Sequence, residues 1–375
     1  MGVFELGVLV RVALVPLNPT VGDLAGNALR MAEAVAQACA VGAELVVFPE
    51  LSLCGYPPKD LLLAGTVDGF MARCNQTAAA FGMAHSEGIT VVFGAPTLVD
   101  ECEAVANVHA LYNSLLVYRD GQRVAAYHKR LLPTYDVFDE DRYFRPGDGT
   151  GSGLIDVPSR DGSVLRVGLS ICEDLWHGLD AGFAQRYVDA PDPMETLCTP
   201  GADGRRVQLV VNPSASPFAL GKGAKQDAIL AGHAARRNVA VAAVNQFGAN
   251  DELIFDGGAA VYAAGGELLA SNVRMGGEML VVDVGANGQM KRGEEGSEGP
   301  LVRGSEGRGS GVVGDDELLF RALVLGVEDY CRKTGFGSAV LGLSGGIDSA
   351  VCAVLACASH EPGTVIGASM PSWYS

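Results

Sequence analysis

No stretch of the sequence stays apolar for the roughly 20 residues that a membrane helix needs, so no membrane partner is expected. Positive charge is also scarce. Against 44 Asp and Glu stand 27 Lys and Arg, a formal net charge of −17. That balance argues against sequence-independent binding to nucleic acid or to an anionic membrane surface, and it predicts a soluble cytoplasmic protein. Metal-type cysteine pairs are missing too. The nine cysteines, at 39, 54, 74, 102, 172, 198, 331, 352 and 357, include no Cys-x-x-Cys and no Cys/His pair at zinc spacing. They read as free, mostly buried thiols of a reducing compartment, one of them open to catalytic use. The opening MGVFELGVLVRVALVPL lacks the basic start of a signal peptide and carries Glu5 within its apolar stretch. A first strand is expected there.

Apolar residues are plentiful: 48% of the 375 residues are hydrophobic, enough for a large core. At a soft prior of about 150 residues per domain, two domains are allowed, or one and a piece of another. Residues 7–285 alternate strand-like and helix-like segments. GDLAGNALRMAEAVAQACAVGA predicts a helix closed by Gly42, and FMARCNQTAAAFGMAHSEG and AILAGHAARRNV predict two more. RVALVPL, ELVVFPE, TVVFGAP, LRVGLSIC, VQLVVNPS and AVAAVNQ read as strands. Hairpins are expected to turn at Asp120-Gly121 and Gly265-Gly266. Helices between strands, with hairpins as well, suggest mixed sheets with helices outside.

Residues 285–314 differ in kind. Ten of these thirty are Gly and eight are charged, so no core is expected and the stretch reads as a linker. Beyond it, DDELLFRALVLGVEDYCRKTG has the pattern of an amphipathic helix. SAVLGLSGGIDSAVCAVLACASH then reads as strand, glycine loop and helix, and TVIGASM as another strand. Two strands and one connecting helix cannot close a domain, so a truncated second α/β domain is expected.

The loop GLSGGIDS, residues 342–349, has three readings. It is a tight strand-to-helix turn, or a nucleophile elbow matching G-x-S-x-G, or a phosphate loop. For the last, glycines allow close approach, and helix-start N–H groups favour an anion. Walker A is excluded because the Lys is missing. Asp348 is odd in a pure anion site, and a metal bridging to phosphate would explain it.

Three polar residues stand at or near strand ends: Glu50 in FPELSLCGYPPKDLL, Lys129 in YHKRLLPTYDVFDEDRYFRPG and Cys172 in SICEDLW. Amide hydrolysis by a thiol needs a base, a group that stabilises the oxyanion, and the nucleophile itself. These residues supply one of each. Taken singly, each has an ordinary reading: a helix N-terminal acid, a solvated strand end, a buried small side chain. Glu173 and Asp174 next to Cys172 would raise its pKa if they faced it. On a strand-end turn they can point away while their backbone faces the site.

Together these strings resemble the nitrilase superfamily. S-G-G-x-D-S after a strand resembles the loop of N-type ATP pyrophosphatases. NPTVGDLAGN, LPTYDVFDEDRYFRPG, NPSASPFALGK and NQFGANDELIFDGG look like the glutaminase domain of glutamine-dependent NAD synthetases, and GASMPSWYS like the start of their second domain. The resemblance implies a four-layer α-β-β-α sandwich over residues 1–285, a linker at 286–314, and the first strand-helix-strand of a doubly wound α/β domain at 315–375. It implies Glu50 as base, Lys129 as oxyanion stabiliser and Cys172 as nucleophile. It also implies Tyr135, Ser216 and Lys222 as glutamine contacts, with the Glu173 N–H as a second oxyanion donor. The loop Gly342, Leu343, Ser344, Gly345, Gly346, Ile347, Asp348 and Ser349 would bind ATP, with Asp348 on magnesium. The implied partners are L-glutamine, ATP and deamido-NAD, in a homo-oligomer. A stand-alone amidase or carbamoylase leaves the glycine loop unexplained. A non-catalytic scaffold leaves all three reactive residues unexplained. The long 177–206 segment is expected to shape access to Cys172.

Overall fold

The computed structural model describes residues 9–63, 69–99, 111–149, 153–178, 187, 189–201, 203–285, 290–292 and 314–371. The expected linker lies mostly outside these residues, as do residues 372–375 of MPSWYS and residues 179–186, 188 and 202 of the segment after Cys172.

The first sheet is built from β1 (Leu9–Leu14), β2 (Leu45–Val47), β3 (Thr90–Leu98), β4 (Leu111–Arg119) and β5 (Gln122–His128). The second begins with β6 (Leu154–Pro158), β7 (Val164–Leu169), β8 (Leu209–Ser214) and β9 (Ala240–Asn245). The short hairpin of β10 (Phe247–Asn250) and β11 (Leu253–Asp256) follows, and then β12 (Ala259–Tyr262) and β13 (Leu268–Ser271) complete the second sheet. The chain returns to the first sheet through β14 (Leu280–Gly285) and β15 (Met290–Arg292). The sheet orders are β15-β14-β1-β2-β3-β4-β5 and β13-β12-β9-β8-β7-β6. Strands β1, β2 and β3 run parallel at the centre of one sheet, and β7, β8 and β9 at the centre of the other.

Three cores make four layers. Val10, Val12 and Leu14 point between the two sheets, where they meet Val167, Leu209 and Val211. The alternate residues Ala13 and Val15 face helices α1 (Leu24–Ala40) and α2 (Phe70–His85), with Met31 and Phe81. On the far side, α3 (Pro193–Cys198) and α4 (Lys222–Arg237) cover the second sheet through Met194, Ile229 and Ala234. This is the α-β-β-α arrangement, with period-two alternation assigning each strand residue to one core or the next.

The first hairpin turns where expected, with Asp120 and Gly121 both at positive φ, the backbone that a two-residue turn needs. Helix α4 begins at Lys222, ahead of the apolar pattern that marked it, because its first turn is polar. Met290–Arg292, inside the expected linker, pairs antiparallel with β14. An edge strand needs only backbone partners, so composition did not reveal it. Beyond it, α5 (Asp315–Thr334) packs on the β10-β11 hairpin, and α6 (Ile347–Ser359) lies beside the parallel pair β16 (Ala339–Gly342) and β17 (Val365–Ala368). Among the described residues, no helix is long and apolar enough to cross a membrane.

Gly94 on β3 allows the closest approach near the site. A Cβ there would overlap the Leu51 amide nitrogen and stand 2.7 Å from the Glu50 carbonyl carbon. Gly94→Ala should force β3 and the Glu50 turn apart and lower stability by about 1–3 kcal/mol, read from a denaturant midpoint. An unchanged midpoint would show that the turn yields freely.

Candidate active site

Side chains from several distant segments meet at one end of the two sheets. Pro49 ends β2 by removing an amide donor, and Leu51 follows Glu50 at φ +48°, a turn that leaves the Glu50 carboxylate at the end of a central strand. Lys129 follows directly on β5. Cys172 lies just past β7, at φ +41°, in the left-handed region that non-glycine residues rarely occupy. Backbone strain of that kind is stored where the surroundings over-determine it, often at reactive residues.

Lys129 is fully buried. Its Nζ lies 2.6 Å from Glu50 Oε1, and 2.8 and 2.9 Å from the two oxygens of Glu140. Asn113 donates to Glu50 Oε1 at 2.7 Å, and the Ala215 amide donates to Glu50 Oε2 at 2.9 Å. The Tyr56 hydroxyl donates to Glu140 Oε1 at 3.0 Å. Burial by itself would lower the Lys129 pKa, but Glu140 and Glu50 outweigh it and hold the ammonium charged. Burial raises the Glu140 pKa; Lys129 opposes that and Glu50 adds to it. One cation thus faces two carboxylates in a dry cluster, an arrangement with a strong affinity for one more proton. The Cys172 thiol is buried as well. Burial raises its pKa first and Glu50 next, while Lys129 pulls it down. A thiol of this kind needs a base at the moment of attack.

Glu140 is the functional candidate that sequence reasoning missed. It stands between Asp139 and Asp141, both exposed, and nothing in the run DED marks the middle acid as the buried one.

The two acids after Cys172 have separate tasks. The Asp174 carboxylate accepts from the Tyr127 hydroxyl at 2.8 Å and from the amides of Ile171, Arg130 and Leu131 at 2.9–3.0 Å. It ties the Cys172 turn to the chain just after Lys129. Glu173 does not leave the thiol's neighbourhood, for its charge is among the causes that raise the Cys172 pKa. Its carboxylate accepts from Tyr135 at 3.1 Å and from Tyr187, in the 177–206 segment, at 2.6 Å. The Tyr135 ring rests edge-on against Phe138.

Ser216 is buried. Asn245 clamps its backbone, accepting from the Ser216 N–H at 2.8 Å and donating to its carbonyl at 2.9 Å. Lys222 opens α4, donates to the Pro217 carbonyl at 3.0 Å and lies over the Phe138 ring. Burial lowers its pKa. A cavity of about 400 Å³ borders Cys172, Trp176, Ser216, Lys222 and Asn245. Glu50 and Lys129 are not on its wall, so the thiol is the part of the cluster that the cavity reaches.

The glycine loop stands apart from this cluster. Gly345 has φ +83° and Gly346 caps α6. Ser344 Oγ accepts from the Gly346 amide at 3.3 Å, and Ser349 Oγ donates to the Gly346 carbonyl at 2.9 Å. The loop is exposed, with Asp348 in the first turn of α6. Among the described residues, no group of three His, Cys, Asp or Glu side chains could hold a metal ion.

Residues 11–288 match the carbon-nitrogen hydrolase family, and residues 319–375 match NAD synthase. A glutamine-dependent NAD(+) synthetase of Synechocystis is 36% identical over 364 residues, which cover 97% of this chain and 60% of that protein. The chain thus spans about 60% of the length of this curated relative. The solved structure of a glutamine-dependent NAD+ synthetase from Acinetobacter baumannii, in complex with ADP, superposes with a TM-score of 0.76 at 27% identity. It covers 98% of this chain and 61% of that one. An amidase from the nitrilase superfamily, of Nesterenkonia AN1, shares the fold at 21% identity and a TM-score of 0.57, covering 76% of this chain and 95% of that one.

Proposed function

The chain belongs to the carbon-nitrogen hydrolase family, and from that premise we propose that it hydrolyses L-glutamine through a Cys172 thioester, as the glutaminase part of a glutamine-dependent NAD synthetase. The observation that carries this reading is the buried Glu50–Lys129–Glu140 cluster behind a strained, cavity-facing Cys172. The division into a glutaminase domain at 1–285, a linker at 286–314 and the start of a synthetase domain at 315–375 is part of the proposal.

In this mechanism Glu50 takes the Cys172 proton as sulfur attacks the side-chain amide carbon. The oxyanion that forms would be met by the Lys129 ammonium, turning toward it one of the N–H groups that now bond the Glu140 carboxylate, and by the Glu173 N–H. Glu50 returns the proton to nitrogen, ammonia leaves and a thioester remains. Water, deprotonated by Glu50, then attacks the thioester, and glutamate and the thiol are restored. Tyr135, Ser216 and Lys222 would orient the glutamine, Lys222 by facing its α-carboxylate. The Glu173 carboxylate, bonded to two tyrosine hydroxyls, also suits the α-ammonium.

The second half of the reading is ATP-dependent amidation of deamido-NAD to NAD by that ammonia, with release of AMP and pyrophosphate. The positive-φ glycine and the serines of Gly342–Ser349, at the start of α6, support phosphate binding there. Asp348, Ser344 and Ser349 are hard oxygen donors, which suit magnesium when phosphate oxygens supply the other ligands. When bound, magnesium would neutralise phosphate charge. The described cysteines are all free, which supports a reducing, cytoplasmic setting.

Ammonia and glutamate should appear together from L-glutamine. Absence of both from a folded sample would overturn the glutaminase reading. In a chain that carries the complete synthetase domain, Asp348→Ala should lose ATP-dependent pyrophosphate release and keep glutamine hydrolysis. Unchanged pyrophosphate release would remove the loop from the mechanism.

A further inference from the structure

Helix α5 is the first element after the expected linker, yet two of its charged side chains are buried in the sandwich domain. Asp329 accepts from Asn18 Nδ2 at 2.8 Å and from the Ala249 amide at 2.7 Å. Lys333 Nζ donates to the carbonyls of Pro19 and Ala249 at 2.9 and 2.7 Å and to Asn250 Oδ1 at 2.9 Å. Those three bonds use every N–H donor the ammonium has. Asp329 Oδ2 lies 3.3 Å from it, and the two side chains are 3% and 8% exposed. Burial pushes the Lys333 pKa down to about 8, with Asp329 opposing. Desolvating this pair is costly, and a helix needing only an apolar dock would not require it.

The bonds continue inward. Asn250, held by Lys333 on one side of its amide, donates from the other to the Tyr56 carbonyl at 3.0 Å. The Tyr56 ring lies against Phe255 and Phe138, and its hydroxyl donates to Glu140, which grips Lys129. The same helix rests on this wall at a second point, where Gly326 approaches Ile254, next to Phe255.

We propose that Lys333 is a positioning residue for the thiol site: through Asn250 and Tyr56 it holds Glu140, and with it Lys129, in place, so that the seating of α5 sets the competence of Cys172. Lys333 touches neither substrate nor reacting atoms. With α5 seated, the Lys129 ammonium is fixed where it stabilises thiolate and oxyanion. With α5 displaced, Asn250 loses its donor, the Tyr56 segment relaxes and the grip on Lys129 loosens. The inference takes its catalytic meaning from the glutaminase reading above, and its test separates the two.

The test compares the wild-type chain with Lys333→Met, using iodoacetamide alkylation of Cys172 followed by mass spectrometry of its peptide, and glutamine kinetics. A weakened Lys129 leaves less thiolate, so alkylation should slow by about threefold, which is half a pKa unit. Mere loosening of the fold would expose the buried thiol and speed alkylation. Unchanged or faster alkylation therefore overturns the inference. Ammonia release judges the reading, since a wild type that releases none refutes the glutaminase assignment while the alkylation rates still decide the role of Lys333. In an active wild type, Lys333→Met should lower kcat on the order of tenfold with KM for glutamine unchanged. A rise in KM alone would likewise overturn the inference. Should Lys333→Met not fold, Asn250→Ser, which keeps the Asp329 ion pair, is judged by the same criteria.

Discussion

Cys172→Ala is expected to lower ammonia release from glutamine by at least about 10,000-fold, because a unit built around a nucleophile loses nearly all of its chemistry with that atom. The variant should still fold. Among the described residues, no hydrogen bond of the thiol fixes the turn, which is held instead by Asp174 and its bonds to Tyr127, Ile171, Arg130 and Leu131. A melting temperature close to wild type, together with lost activity, would separate chemistry from folding. Activity equal to wild type would remove the thioester from the mechanism. The Glu50–Lys129–Glu140 cluster would then need another role, since a buried ion cluster costs desolvation and adds little stability of its own.

Glu140→Gln carries the second-largest expected effect and a diagnostic pH signature. In the wild type, one cation neutralises only one of two buried carboxylates. The excess negative charge and the burial raise the cluster's affinity for a proton, as the upward shift of Glu140 indicates. Protonation of the Glu140 carboxylate releases its hold on the Lys129 ammonium, so wild-type activity should fall on the acid side as Glu140 takes up its proton, above the ordinary carboxylate range. Removing the Glu140 charge leaves Glu50 and Lys129 as a neutral pair. The carboxyl whose pKa is raised is then gone, and the acid limb of the kcat profile should move to lower pH. The amide also places a donor against the Lys129 ammonium and loosens it, so kcat should fall on the order of 100-fold at neutral pH. KM for glutamine should change little, because Glu140 is not on the wall of the cavity. A profile that keeps its acid limb would show that protonation of Glu140 does not set it.

Both predictions rest on contacts spread over 122 residues of sequence, from Glu50 to Cys172. Much of the framework was nonetheless legible beforehand. Val10, Val12 and Leu14 alternate with Arg11, Ala13 and Val15, and the structure divides those two sets between neighbouring layers. Asp120-Gly121 specified a tight turn by its own backbone preferences. Glu50, Lys129 and Cys172 stood out because each is a reactive side chain at the end of a run that otherwise reads as buried strand. Signals of this kind are local, since period, turn chemistry and strand-end position are all written within about ten residues.

Glu140 had no such signal. Asp139, Glu140 and Asp141 are alike in charge and differ only in which of them the chain turns toward Lys129 and Tyr56. The contrast between Glu173 and Asp174 was equally hidden. Adjacent acids in one short turn face opposite sides, one bonded to backbone amides and the other to two tyrosines near the thiol. The edge strand Met290–Arg292 and the buried Asp329–Lys333 pair are further cases, because composition describes a segment without saying what it lies against.

By itself, then, the sequence determined the alternation of elements, the position of the reactive residues along the chain and the glycine loop. Only the tertiary structure decided which carboxylate grips the lysine, which acid turns from the thiol and where α5 docks. The reason is physical. Local preferences act between neighbours in the chain, whereas burial and pairing of a charge depend on whichever distant segments the sheets bring to the same end of the sandwich.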